Sequence, residues 1–416
     1  MSFAYHNGVL CAEKVSLEDI VRRHGTPCYV YSGAAIAIAY AEFSAALRNR
    51  EALVCYSVKA NSNLAVLALL ARLGAGFDIV SGGELMRVLA AGGDPGKTVF
   101  SGVGKTQEEI ALALEKGVRC INLESEGELE RVAEAARRSG RRAPVAFRVN
   151  PDIDARTHPY ISTGLRESKF GVPYQDALRL YTRAAAMPAV DVQGIGCHIG
   201  SQLTAAAPFA EATGRIAVLA DRIHASGIAL KHIDIGGGMG IRYRDDELQE
   251  PIGSFLDGAL GVLAGRPETL LVDPGRSIVG NAGVLITRVE YVKSGAARNF
   301  LVVDAAMNDL LRPALYGAWH EVRPVRKLEQ GAQPAVYDVV GPVCESGDFL
   351  ARDRLLAARP GDLLAVMSAG AYGMVMSSNY NTRPRAAEVL VSNGEARLVR
   401  RRESIESMLA LEDVPA

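Results

Sequence analysis

Apolar runs alternate with amphipathic stretches from about residue 53 to residue 272. The runs have the length of strands, and the stretches between them repeat apolar residues at helical spacing. The predicted strands are Leu53–Val58, Gly76–Val80, Thr98–Ser101, Cys120–Leu123, Val145–Val149, Gly194–His198, His232–Ile235 and Leu270–Val272. The clearest helical stretches are Gly83–Ala91, Gln107–Lys116, Glu126–Ser139 and Tyr174–Ala186. Eight successive strand–helix steps favour a (β/α)8 barrel of the TIM type over an open doubly wound sheet.

The two ends of the chain have a different pattern. Residues 1–28 predict a short strand and a small helix that begins near Ser16. Beyond Asn281 come short alternating runs separated by Gly, Pro and Asp: Val284–Val289, Phe300–Val303, Val336–Val340, Leu363–Val366 and Ala387–Val391. We therefore predict an α/β chain with the barrel at 29–280. A β-rich domain, like a sandwich or barrel, is predicted from 1–28 plus 281–416, with the N-terminal strand joining it.

Composition narrows the class of protein. The 416 residues are 49% hydrophobic and 22% charged, with a net charge of −1, so no electrostatic footprint for nucleic acid or a membrane surface is expected. The N-terminus lacks the pattern of a signal peptide, and no apolar run is long enough to span a bilayer. The six cysteines and seven histidines are dispersed, which predicts neither disulfides nor a metal site. A cytoplasmic enzyme is expected.

Polar residues and glycines recur where the predicted strands end. In a barrel of this kind, chemistry gathers at the carboxyl ends of the strands. The residues at these ends are Lys59, Asp78, Glu124, Arg148, His198, Gly236, Gly237, Gly238, Asp273, Gly275 and Arg276. Core packing alone does not require such a set at one end of the strands.

Lys59 closes the buried run Val54–Val58, and Asn61 and Asn63 follow it as helix caps. A buried ammonium is costly unless its amine is used. A Schiff base with an aldehyde would use it, because desolvation frees the nucleophilic lone pair. The alternative is a strand-end lysine that reaches solvent. Lys169 is a rival for this chemistry, but it lies in a predicted loop rather than at a strand end. We interpret this loop, residues 151–171, as a lid.

The glycine run Gly236–Gly238 can bring bare backbone N–H groups to a phosphate, or it can be a tight turn that needs positive φ. Asp273 follows the next strand and can keep the ring nitrogen of a cofactor protonated. Arg276 can bind a carboxylate. The alternative is that Asp273 and Arg276 form an ion pair on the surface. His198 can stack on a cofactor ring or be a structural histidine. Gly102–Thr106 imitates a nucleotide-binding loop, but Val99 stands where its first glycine belongs.

The β-rich part offers further candidates, each weak when taken alone. Arg312 and Tyr316 lie four positions apart, which puts them on one face of a helix. Cys344 and Glu345 supply a thiol and a carboxylate in a loop flanked by turn residues. Tyr372 lies between glycines.

Taken in order, these motifs resemble the fold-type III pyridoxal-phosphate enzymes, in particular the diaminopimelate decarboxylase family. The matching segments are Tyr56–Asn61, Phe77–Glu84, Ser168–Gly171, Cys197–Gln202, Gly236–Gly238, Pro274–Arg276, Met307–Asp309, Gly341–Glu345 and Ala371–Gly373. They extend along nearly the whole chain. Resemblance to this family implies pyridoxal 5′-phosphate as cofactor and decarboxylation of meso-2,6-diaminopimelate to L-lysine and CO2, the last step of lysine biosynthesis.

The resemblance also assigns roles to residues. It implies that Lys59 joins the cofactor covalently and that His198 stacks on its ring. The implied phosphate-binding residues are Ser201, Gly236, Gly237, Gly238, Gly275, Arg276 and Tyr372, with Asp78 also beside the cofactor. The implied substrate contacts are Arg276, Arg312, Tyr316, Glu345 and Tyr372. Cys344 and Glu345 are implied to reach into the active site of a second subunit, so a homodimer is expected, and Cys344 is the hypothetical proton donor.

One residue departs from the family pattern. The family usually has Glu before Pro-Gly-Arg, whereas this chain has Asp273, whose shorter side chain must reach further or act through water. Other readings stay open. An ornithine or arginine decarboxylase would need carboxylates for a cationic substrate end, and a racemase would be helped by a cation at the ring nitrogen. A non-catalytic cofactor carrier would need only the barrel. A sugar-phosphate aldolase would share the lysine and the phosphate cradle.

Overall fold

The computed structural model describes residues 2–154, 169–244, 246–247, 249–327 and 333–415. It contains two compact units. One comprises Met1–Ile38, Arg242–Leu248 and Ile278–Ala416, and the other comprises Ala39–Ile241 and Gln249–Ser277. The sequence placed the domain boundaries at residues 28/29 and 280/281. The strand Cys28–Ser32, which spans the first predicted boundary, pairs within the sheet of the first unit.

The second unit is a closed parallel barrel, as predicted. Its strands in chain order are Ala52–Ser57, Gly76–Ile79, Thr98–Phe100, Cys120–Leu123, Ala143–Asn150, Val190–Gly196, His232–Asp234 and Thr269–Val272. Each strand pairs with the next one in the chain, and the eighth pairs with the first, with Leu271 opposite Leu53. A two-residue strand, Val172–Pro173, pairs in parallel with the end of the fifth, at Val149 and Asn150.

Helices follow the barrel strands, as the amphipathic stretches predict. Their bounds are Leu64–Arg72, Gly82–Ala90, Gln107–Lys116, Glu126–Ser139, Tyr174–Ala185, Ala207–Ala225, Ile252–Val262 and Arg276–Val279, and Gly33–Ala46 precedes the first strand. Local signals set these bounds well. Thr106 and Glu109 form a reciprocal capping box at the start of Gln107–Lys116, and Gly117, at φ 73°, ends that helix.

Small and medium-sized side chains fill the barrel interior. Cys55, Val99, Cys120, Ala146 and Leu271, from five different strands, form a buried cluster. Barrels of this size are packed with side chains rather than hollow. The strand ends therefore provide the surface on which a site can form.

The first unit is β-rich, which confirms the predicted change of pattern. Its main sheet runs in the order Phe349–Leu356, Ala335–Val340, Asn299–Val303, Gly283–Lys293, Cys28–Ser32, Ala387–Ser392 and Glu395–Arg400. Leu363–Val366 also pairs with Gly283–Lys293, and Val322–Pro324 pairs with Leu363–Val366. Phe3–His6, Val9–Ala12 and Val15–Ser16 form a small antiparallel sheet. The helices of this unit are Leu17–His24, Arg312–Tyr316 and Ile405–Leu409.

In the part of the chain that the structure describes, no helix combines the length and the apolar character needed to cross a membrane.

Candidate active site

Lys59 and Asp78 meet at the carboxyl ends of the first two barrel strands. The first strand stops at Ser57, and a single 3₁₀ turn, Val58–Ala60, carries Lys59 beyond it. Lys59 Nζ lies 2.7 Å from Asp78 Oδ2, with 35% of the lysine side chain exposed and the aspartate fully buried. The lysine is thus neither buried in the core nor free in solvent; it lines a pocket at the strand ends.

The carboxylate of Asp78 stays ionised despite its burial. Burial by itself raises the pKa of this group, but the charge and hydrogen bond of Lys59 outweigh it, so that the pKa is lowered. Ser57 Oγ lies 3.1 Å from Asp78 Oδ2 and 2.9 Å from the carbonyl oxygen of Asp273, and its single proton can serve either. Ser57 thereby links the ends of the first, second and eighth strands.

His198 and Asp273 face each other across the same pocket. His198 Nδ1 is 3.5 Å from Asp273 Oδ1 and 3.4 Å from the backbone N of Gly237. Asp273 Oδ1 is buried and accepts no hydrogen bond from the described residues. A buried carboxylate oxygen in that condition is costly unless a bound group supplies a donor. A protonated pyridine nitrogen is such a donor.

The three glycines after the seventh strand are required by close packing. Gly236 and Gly238 have φ values of 76° and 87°, so the tight-turn interpretation holds for both. A Cβ on Gly237 would come within 2.4 Å of the carbonyl oxygen of Asp273, and one on Gly238 within 2.1 Å of that of Gly200. The run therefore follows the neighbouring strand ends closely with its bare backbone, which is also what an anion cradle needs.

Ser201 and Arg276 extend this polar edge. Arg276 is buried and donates to Ser201 Oγ, with the Nη2 atom at 3.1 Å. Gly275 precedes it in a narrow space, because a Cβ there would lie 2.9 Å from Ser57 Cβ. A surface ion pair with Asp273 was the alternative interpretation of Arg276. Its burial does not agree with that alternative.

Asp234 adds a third carboxyl group to the pocket. Burial and repulsion from Asp273 raise its pKa well above the usual range, although the backbone N of Gly236 donates to Oδ1 at 2.8 Å. Arg148 lines the same pocket and donates to Glu124 Oε1 at 3.4 Å. Sequence reasoning gave neither Asp234 nor Arg148 a role, although both lie in strand-end segments.

Two other lysines differ from Lys59. Lys169, the rival candidate, is exposed, with its Nζ 5.3 Å from the centre of the Phe170 ring. Lys105, in the loop that imitates a nucleotide-binding motif, is buried. Its Nζ donates to the carbonyl oxygens of Gly102 and Asn122, and to Glu128 Oε1. It therefore holds the loop together. Most of the predicted lid, residues 155–168, lies outside the described residues.

In the β-rich unit, Arg312 opens the helix Arg312–Tyr316, which confirms the helical spacing predicted for this pair. Arg312 is buried, and its Nη1 lies 2.8 Å from His320 Nε2. The ring of Tyr243 lies 4.7 Å from the guanidinium carbon. Neither His320 nor Tyr243 was singled out from the sequence.

The Cys344–Glu345 loop is held by the residue pair Tyr380–Asn381. The backbone N of Cys344 donates to Asn381 Oδ1 at 3.1 Å, and Tyr380 Oη donates to Glu345 Oε1 at 2.9 Å. Cys344 is exposed, whereas the other five cysteines of the chain are buried. Tyr372 lies at φ 54° between glycines, in agreement with a special backbone setting.

Comparison with known proteins places the chain in a family. Residues 34–280 match the family model described as pyridoxal-dependent decarboxylase, pyridoxal binding domain. The chain is 57% identical to a diaminopimelate decarboxylase of Pseudomonas aeruginosa over 414 residues, which is 99% of each chain. It belongs to the diaminopimelate decarboxylase family. This confirms the resemblance read from the sequence and, with it, a pyridoxal-phosphate-dependent carboxy-lyase.

Solved structures of diaminopimelate decarboxylases share the fold. The enzyme from Helicobacter pylori, complexed with L-lysine, has a TM-score of 0.91 and 42% identity, covering 95% of this chain and 98% of its own. The enzyme from M. jannaschii, also in complex with L-lysine, has a TM-score of 0.95 and 36% identity, covering 100% and 98%. The predicted barrel with a β-rich domain is thus the fold of the diaminopimelate decarboxylase family.

The diaminopimelate decarboxylase motifs meet in the barrel where sequence reasoning expected them. Lys59, Asp78, His198 and Asp273 line one pocket, and the glycine run and Arg276 lie at neighbouring strand ends. Ser57, which bonds to two of these strand ends, was missed. Its signal was weak, because a serine at the end of an apolar strand is ordinary in any sequence.

Proposed function

We propose that this protein removes CO2 from the D centre of meso-2,6-diaminopimelate and releases L-lysine, the last step of lysine biosynthesis. Family membership supports the reaction type, and two solved relatives are complexed with L-lysine. The observation that carries the proposal is the pocket itself. A half-buried amine paired with an ionised carboxylate lies in the same pocket as a second, unsatisfied carboxylate.

The residues of this pocket fit pyridoxal phosphate. Lys59 supplies the amine that would hold its aldehyde, and Asp273 supplies the buried oxygen that a pyridinium N–H would satisfy. Ser201, Gly236, Gly237, Gly238, Gly275, Arg276 and Tyr372 are proposed to hold the phosphate. When bound, the cofactor supplies an electron-withdrawing ring that stabilises negative charge at the substrate Cα. A carboxylate at this place favours the protonated ring, whereas a racemase would be helped by a cation there.

The protein's own groups control protons and orientation. Asp78, ionised and 2.7 Å from Lys59 Nζ, holds the lysine by its ammonium form and fixes where its nitrogen lies. His198 is proposed to lie against the ring and help hold it. Cys344, the exposed thiol, is proposed to deliver the proton to Cα after CO2 has left.

A substrate with a carboxylate and an ammonium at its distal end suits the candidate contacts. Arg276 and Arg312 can bind carboxylates through two parallel hydrogen bonds, and Glu345 can bind an ammonium. Tyr316 and Tyr372 complete the proposed set. Ornithine and arginine carry no distal carboxylate, so they would leave an arginine without its partner.

We further propose a homodimer in which Cys344 and Glu345 serve the active site of the second copy. The tie between this loop and Tyr380–Asn381 supports a fixed presentation of both side chains. The cytoplasm stays the predicted location.

Release of CO2 from meso-diaminopimelate, compared with the LL isomer, ornithine, arginine and lysine, tests the proposed substrate. We expect measurable turnover only for the meso isomer, since a D centre and a distal carboxylate are both required. Borohydride reduction with pyridoxal phosphate present should leave a pyridoxyl group on the peptide that contains Lys59, as seen by mass spectrometry. Preferred turnover of ornithine would contradict the substrate, and a label on Lys169 would contradict the site.

A further inference from the structure

We propose that His320 is a positioning residue for Arg312: the neutral imidazole presents Nε2 as the acceptor that fixes the orientation of the guanidinium. The inference rests on the proposed function, in which Arg312 binds a carboxylate of the substrate.

The contact is short and buried. Arg312 Nη1 lies 2.8 Å from His320 Nε2, and His320 Nδ1 lies 2.8 Å from the carbonyl oxygen of Met367. His320 has no exposed surface, and Arg312 is 7% exposed. Buried polar groups at such distances are expected to be fully hydrogen-bonded.

These two partners determine the tautomer of His320. A carbonyl oxygen only accepts, so Nδ1 must carry the proton that it donates to Met367. A guanidinium only donates, so Nε2 must carry the lone pair that accepts from Arg312. The proton assigned from these partners is therefore on Nδ1, and a second proton on Nε2 would put an N–H against the N–H of Arg312.

The surroundings hold the imidazole in place. Arg354 Nη2 donates to the carbonyl oxygen of His320 at 3.0 Å. The ring of Tyr243 meets the imidazole edge-on, with the ring centres 5.3 Å apart, and its face lies 4.7 Å from the Arg312 guanidinium carbon. The guanidinium is thus oriented both by a ring face and by an acceptor atom.

A neutral acceptor suits a substrate-binding arginine. An aspartate or glutamate in this position would orient the guanidinium and also neutralise it, which would weaken its attraction for a substrate carboxylate. The Nε2 lone pair orients the same group without bringing a negative charge to it. Specificity for a substrate with a distal carboxylate then depends on His320 without any contact between His320 and the substrate.

Two substitutions separate the two nitrogens. His320→Gln retains an acceptor oxygen near the position of Nε2, whereas His320→Asn retains only a donor near the position of Nδ1. In the holoenzyme we expect His320→Asn to raise KM for meso-diaminopimelate about 10- to 100-fold, with kcat within about 3-fold, since one hydrogen bond to a charged group is lost. His320→Gln should restore KM to within about 3-fold of the unmodified protein. His224→Gln, at a histidine whose Nε2 accepts from the backbone of Leu230, is the matched control.

A second measurement needs no turnover. Trp319 is the only tryptophan in the chain, and the guanidinium groups of Arg244 and Arg354 lie 4.0 Å and 3.1 Å from its ring. Its fluorescence should report the binding of pimelate, a dicarboxylate without the two amines. We expect the Kd of pimelate to rise in His320→Asn by a factor similar to that in KM, and to recover in His320→Gln.

The outcomes distinguish the possible failures. No CO2 from meso-diaminopimelate with the unmodified protein would refute the proposed function, while the pimelate titration would still test His320. An unchanged KM in Arg312→Lys would refute the role of Arg312. If KM and Kd in His320→Asn equal those of the unmodified protein, or if only kcat falls, the positioning role is overturned. Unfolding of both His320 variants would also overturn it, because His320 would then serve the fold.

Discussion

Lys59 and Lys105 both follow a barrel strand, yet their ammonium groups have different surroundings. Lys59 is 35% exposed, pairs with Asp78 and lines the pocket. Lys105 is fully buried and directs its Nζ at two carbonyl oxygens and Glu128, so the three N–H groups of its ammonium all have acceptors. A buried ammonium whose three N–H groups are all bonded serves the fold. The partners of a strand-end lysine, rather than its place in the chain, therefore decide whether its ammonium is committed to the fold.

The largest expected effect concerns Lys59, which we propose as the reactive member of this pair. Lys59→Arg keeps a cation beside Asp78 but cannot offer a lone pair, because a guanidinium does not lose its proton in proteins. We expect CO2 release from meso-diaminopimelate to fall on the order of 10⁴-fold or more, and borohydride to trap no pyridoxyl group. Initial rates and peptide mass spectrometry measure both. Retention of a tenth of the activity would show that Lys59 is not the reacting amine.

The next effect concerns stability. Lys105→Met leaves the carboxylate of Glu128, which is 8% exposed, without its buried partner. Breaking such a pair from one side costs about 3–5 kcal/mol, so the melting temperature should fall clearly. The pyridoxyl label on Lys59 should persist at a temperature where the variant is folded. Lys116→Met removes an exposed pair with Glu115 and is the control that should leave the melting temperature unchanged. Equal melting temperatures in the two variants would contradict the structural role of Lys105.

The smallest effect concerns the carboxyl group of Glu84, whose pKa is raised by burial and lowered by the charge of Lys59. Glu84 accepts from the backbone N of Val80 at 2.7 Å, and burial raises its pKa to about 7 although Lys59 opposes the shift. A raised pKa in the folded state gives stability that is complete below pH 4.5 and is lost as the pH rises through about 7. Glu84→Gln should remove this loss, about 2–3 kcal/mol between pH 5 and pH 8.

Melting curves of the two proteins across this pH range measure the difference. Glu134→Gln, on an exposed helix face, is the control that should keep the pH dependence of the unmodified protein. A Glu84→Gln variant with the same pH dependence as the unmodified protein would show that Glu84 ionises normally.

Much of the fold was predictable because the barrel repeats one local pattern. The bounds of Gln107–Lys116 and Glu126–Ser139 agree with those predicted, since a capping residue begins each helix and a glycine ends it. The strand Cys28–Ser32 was not recognised. Its five residues are all buried, and a short apolar run does not say which sheet will hold it.

The candidate site likewise contains residues that the sequence identified and residues that it did not. Strand ends identified Lys59, Asp78, His198 and Asp273, because parallel strands in a barrel bring their carboxyl ends to one rim. The supporting residues were not identifiable. Ser57 bonds to residues 21 and 216 positions away, and His320 contacts Met367 from another strand region, so neither leaves a local signature.

The amino-acid sequence alone specified the succession of strands and helices, the glycines that the tight turns need, and the residue types available at each strand end. These are local properties, because helical period, strand alternation and allowed φ depend on a residue and its near neighbours. Only the tertiary structure decided that Lys59 pairs with Asp78 while Lys105 is enclosed by Gly102, Asn122 and Glu128. Burial and charge at each amine are set by atoms from separate strands, and the electrostatic energy of an ammonium depends on those atoms rather than on its neighbours in the chain.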